Sequence, residues 1–126
     1  MRRLLRIYLA FLLLVPTFAF AHGQKGPHGG QMLLSGAHRF EMVVHDANFE
    51  IYVLSLKKKV LPLNGVSGSA IIHSNNDKKT DSVSLSVSGD HLVGDINLKK
   101  LGKAEIHVTV VVDKKEAKMA FEYPPD

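Results

Sequence analysis

From residue 38 to residue 123 the chain alternates apolar and polar side chains in steps of two, and no long stretch repeats in the helical period. Successive side chains of an extended strand point to opposite faces, so this alternation belongs to half-buried β-strands. It is clearest over Ala104–Val112, where Ala104, Ile106, Val108, Val110 and Val112 take one side and Glu105, His107 and Thr109 the other. Similar runs occupy residues 39–45, 49–54, 68–73, 80–87, 91–98 and 117–123. Asp46-Ala47-Asn48, Ser74-Asn75-Asn76-Asp77 and Ser88-Gly89-Asp90 separate them as turns, and Pro124-Pro125 cannot continue a ladder. The expected fold is all-β, a small antiparallel β-sandwich of immunoglobulin-like or cupredoxin-like class with about seven strands over residues 38–126. Residues 22–37, rich in Gly and His and without an apolar period, are expected to be a flexible arm ahead of it.

Residues 1–21 have the form of a cleavable signal peptide. Arg2, Arg3 and Arg6 make a positive start, residues 7–15 are uncharged and apolar, and Ala19-Phe20-Ala21 offers the small-x-small pattern that signal peptidase reads. The apolar stretch 7–21 is shorter than the roughly 20 residues a membrane-crossing helix needs, so no stable span is expected after processing, and the location expected is the periplasm. Removing those arginines changes the charge argument. The formal +4 of the full chain becomes thirteen Lys and Arg against twelve Asp and Glu, a net +1, with the lysines in short runs beside turns. No basic patch is left to neutralise a phosphate backbone, so nucleic acid is not an expected partner.

The chain has no cysteine, which excludes disulfide scaffolds, thiolate metal sites and a cysteine nucleophile. It has seven histidines, all beyond residue 21. Cleavage after Ala21 would leave His22 first, with its α-amine and imidazole able to close a chelate ring on one cation. His28 follows within Gly26-Pro27-His28-Gly29-Gly30, where tight turns let the backbone bring His22 and His28 together. On the later strands, Glu105 and His107 share a face two residues apart, and Glu41 shares one with His45. His73 and His91 lie beside turns and read as solvated. Nitrogen and carboxylate donors suit a divalent transition metal, Cu(II) first, with Ni, Co or Zn behind it. The metal ligands expected are therefore His22, His28, Glu41 and His107. No nucleophile elbow, phosphate loop or cleft-forming pair of acids is present, so the chain does not read as an enzyme.

Gly26-Pro27-His28-Gly29-Gly30-Gln31, then His38-Arg39-Phe40-Glu41, then Ile51-Tyr52-Val53-Leu54, is similar to small periplasmic proteins and modules of bacterial heavy-metal efflux systems that carry a GPHGG segment. The resemblance covers residues 26–63 and, more loosely, the chain to residue 121. It implies a periplasmic role near copper, nickel, cobalt or zinc resistance, with His28, Glu41 and Tyr52 at the matching positions. At the amino terminus of the processed chain, His22 resembles the first residue of CopC-type copper carriers, secreted β-sandwiches with an amino-terminal histidine ligand. Where those have Asp-Gly-His on a late strand, this chain has Glu105-Ile106-His107.

Two functions follow as expectations. The first is a periplasmic metal-binding protein, acting as carrier, buffer or accessory of heavy-metal efflux, with the metal ion and an efflux-system periplasmic component as partners. The alternative is a non-catalytic envelope protein-interaction module whose histidines are incidental.

Overall fold

The computed structural model describes residues 24–76 and 78–125. The expected signal peptide and His22 lie outside the described residues. Nine strands and one short helix follow in order: β1 (Gln24–Lys25), β2 (Gln31–Ser35), β3 (His38–Val44), β4 (Phe49–Leu54), β5 (Ser67–Ser74), β6 (Thr80–Ser88), β7 (His91–Gly94), α1 (Leu98–Leu101), β8 (Ala104–Val112) and β9 (Lys115–Tyr123). The fold is nearly all β, as the alternation predicts.

All nine strands join one antiparallel sheet in the order β1-β2-β3-β4-β7-β6-β5-β8-β9, rather than two separately bonded sheets. The sheet curls until β2 lies alongside β9. No backbone ladder joins these two strands. Instead the Ser35 hydroxyl donates to the Lys118 carbonyl at 2.8 Å, and the Glu122 N–H donates to Gln31 Oε1 at 3.1 Å. The concave face holds the core, in which Phe40, Phe49, Ile51, Ile72, Leu92, Ile106 and Phe121 are completely buried. This apolar burial is the main term opposing the entropy of ordering the chain.

The count of nine exceeds the seven expected because two strands come from the stretch read as an arm. In β2, Leu33 enters the main core while Met32, pointing the other way, packs with Tyr52 and Leu54 in a smaller cluster on the convex face. Met32 and Leu33 are buried on opposite faces and Leu34, though exposed, is apolar too, so Met32-Leu33-Leu34 has no period-two signature. The run 91–98 is also divided. It leaves the sheet after Gly94, and Asn97 caps the single turn of α1 by accepting the Lys100 N–H on Oδ1 at 3.1 Å. Leu98 on that turn is fully buried, so the apolar residue that suggested more strand closes the core from a helix instead.

Candidate functional site

β3 and β4 carry their inward residues at Phe40, Met42, Phe49, Ile51 and Val53, so Glu41, His45, Glu50 and Tyr52 fall on the convex face. The register places Glu41 opposite Tyr52 and, on its other side, opposite Met32. A carboxylate here would ordinarily face water. The Gly26–Gly30 loop covers it instead.

That loop is a tight turn in which the Gly29 N–H donates to the Gly26 carbonyl at 3.0 Å and the Gly26 N–H to the Gly30 carbonyl at 2.8 Å. Glu41 lies beneath it with no exposed surface. Its Oε2 accepts the backbone N–H of His28 at 2.8 Å and of Gly30 at 2.9 Å, and its Oε1 lies 2.7 Å from His28 Nδ1. Burying a carboxylate without such donors would be very costly, and three of them satisfy it here. An ionised Glu41 can only accept, so Nδ1 donates to Oε1, and an uncharged imidazole in that tautomer has its lone pair at Nε2.

The same contact explains two glycines. A Cβ on Gly26 would lie 2.3 Å from Glu41 Cδ, and one on Gly30 would lie 2.2 Å from the Met42 carbonyl oxygen. Gly29 has open space around it but sits at φ 81°, in the left-handed region that side chains resist.

The His28 ring, about one-third exposed, stacks on Tyr52 with ring centres 3.8 Å apart and planes within 13°. Tyr52 in turn meets His91 of β7, tilted, at 5.2 Å. His91 Nε2 lies 2.8 Å from Glu50 Oε2, and the other Glu50 oxygen lies 2.6 Å from His45 Nε2. Asp90 Oδ1 completes the row at 3.0 Å from His91 Nδ1. Carboxylates and imidazoles thus alternate across β3, β4 and β7, with one phenol in the middle. Burial, followed by the charges of Glu50, Asp90 and Glu41, pushes the Tyr52 phenol above its ordinary value. The hydrogen bond from His91 holds Asp90 below the usual carboxylate range, with a smaller contribution from His28.

Of the four expected ligands, His28 and Glu41 are brought together, and His22 lies outside the described residues. His107 stands elsewhere, on the convex side of β8, with Nε2 2.7 Å from Glu105 Oε1 and its ring 4.9 Å from that of His73 on β5. Strand β6 separates β5 from the β7 edge of the His28 group. Glu50 and Asp90 were not singled out from the sequence, His45 was noted only for sharing a face with Glu41, and His91, expected to be solvated, is mostly covered and held between Glu50 and Asp90. Their signal was positional: His45 and Glu50 are outward residues on either side of one hairpin turn, and Glu50 and Tyr52 share a face.

Among the described residues, no three His, Asp or Glu side chains are already arranged to hold a metal ion, and no helix is long and apolar enough to cross a membrane. Compared with known proteins, the chain matches no family model, no curated protein and no solved structure.

Proposed function

We propose that the protein is a periplasmic carrier, buffer or accessory for a divalent transition metal, Cu(II) first, working beside a component of heavy-metal efflux. The single observation supporting this is the His28–Glu41 pair. A histidine that ligates a metal commonly donates its other ring N–H to a carboxylate, which fixes the tautomer and makes the free nitrogen a better donor. In this reading Glu41 is a positioning residue rather than a ligand, since its oxygens are occupied by N–H groups. His28 anchors the ion through Nε2. A further donor comes from His22 once the leader is removed, and Asp90, close enough for His28 to act on its carboxyl, supplies an oxygen.

Nitrogen and oxygen donors of this kind fit Cu(II), Ni(II), Co(II) and Zn(II). The ion is cargo, captured and surrendered by ligand exchange, with no catalysis. The fold we infer for this body is a small β-sandwich of immunoglobulin-like or cupredoxin-like class, its two layers being the halves of the curled sheet. Protons compete for imidazole, so loading should weaken below about pH 6.

A second reading has its own support, because Glu41 is fully bonded without any metal. The loop would then be a structural latch in a non-catalytic envelope interaction module. Thermal melts of the processed protein with Cu(II), Ni(II) and Zn(II) separate the two. A ligand that binds only the folded state raises the midpoint, and His28→Ala should diminish that rise. Flat melts with all three ions would reject the carrier and leave the latch.

A further inference from the structure

The convex face of β5, β8 and β9 carries a second gathering of donors that the His28 group does not use. The register sets His73 opposite Glu105, Glu105 opposite Glu122, and Ile71 opposite His107. All four polar side chains point outward, since Ile72, Ile106 and Phe121 between them are buried. Around them the same face carries Ser69, Ser82 and Ala120, together with the exposed Ile71 between Ser69 and His73.

Two features point to a cation. Like charges directly opposite on neighbouring strands are destabilising, and Glu105 and Glu122 form such a pair. The two imidazoles lie on hydrogen-bonded neighbours, with ring centres 4.9 Å apart and planes nearly perpendicular at 88°. β5 and β8 are each paired on both sides, so their backbones are fixed and only side-chain rotations remain to be ordered on binding. Half-exposed side chains at His107 and Glu105 are free to make them.

We propose that His73 and His107, with Glu105 and with Glu122 at the rim, form a binding site for a divalent transition-metal ion, separate from the His28 group. The ion bonds both His107 Nε2 and Glu105 Oε1, now 2.7 Å apart, in place of the contact between them. Mixed imidazole and carboxylate donors select Zn(II), Ni(II) or Cu(II) over Ca(II) and Mg(II), which want all-oxygen sites. The site needs neither the loop nor the amino terminus. It does not rest on the carrier reading of His28.

The test uses the processed full chain. Substoichiometric Cu(II) should broaden the ring-proton NMR signals of His73 and His107 together, in the wild type and equally in His28→Ala. Zn(II) calorimetry should find a site that Ca(II) does not fill and whose affinity falls at least about tenfold in His107→Ala. Sharp His73 and His107 signals at excess Cu(II) would overturn the proposal, as would an unchanged Zn(II) isotherm in His107→Ala. Broadening at His73 and His107 with His28 left sharp would support this site while rejecting the carrier reading of His28.

Discussion

Glu41 Oε1 lies 2.7 Å from His28 Nδ1 while Glu41 Oε2 accepts the His28 and Gly30 backbone N–H groups, so one buried carboxylate holds both the ring and the loop that carries it. Stability and site geometry therefore depend on the same side chain.

Glu41→Ala should lower the unfolding free energy by about 3–5 kcal/mol, since it strands three donors beneath the loop and leaves a void. Glu41→Gln keeps the volume and one acceptor oxygen, and should cost about 1–3 kcal/mol. Urea denaturation measures both. An alanine variant within 1 kcal/mol of wild type would mean that the loop is not held by this contact.

The glycines should divide by mechanism. Gly26→Ala and Gly30→Ala drive a methyl group into Glu41 and the Met42 carbonyl, so each should shift the His28 ring resonances and destabilise at the upper end of about 1–3 kcal/mol. Gly29→Ala meets open space and incurs only the left-handed backbone cost of about 1–2 kcal/mol, leaving the His28 resonances in place. Equal spectral changes in all three variants would refute the distinction.

Alkaline titration should expose Tyr52. Its raised value means that above pH 10.0 the unfolded chain releases a proton that the folded chain keeps, so stability declines as pH rises through that window. In chelator-treated protein, phenolate absorbance should show a late component that Tyr52→Phe removes. If that variant loses an early component instead, the phenol is not shielded as described.

The join between β2 and β9 should be soft. Gln31→Ala removes the acceptor of the Glu122 N–H, and Ser35→Ala removes the donor to the Lys118 carbonyl. Hydrogen exchange should accelerate at Glu122 in Gln31→Ala, with the amides of β5 and β8 unaffected. Acceleration spread evenly over the sheet would instead indicate global destabilisation.

Most strands visible in the sequence have one buried face, although β4, with Ile51, Tyr52, Val53 and Leu54 all buried, was read as well. Ala104–Val112 alternates without interruption, and it forms β8 with the expected residues inward. β2 escaped notice because Met32, Leu33 and the exposed Leu34 are all apolar and do not alternate, and α1 because four residues cannot display a helical period. At the site, His28 and Glu41 were legible as residue types, but their relationship was not. Glu41 read as an outward acid, because nothing local to residues 38–44 announces that a loop thirteen residues upstream of it will fold over and bury it. His45, Glu50 and His91 meet through sheet register, which depends on pairings far apart in sequence.

Because the acid reaches the turn across a fixed thirteen-residue interval, the Gly-Pro-His-Gly-Gly pentad and the glutamate make a two-part lock. Drift at either half strips the other of its function: an isolated pentad has no anchor, and an isolated glutamate on that strand is one more acid facing water. Chains sharing this architecture should therefore gain or lose both halves together, whatever cargo or partner each has come to serve.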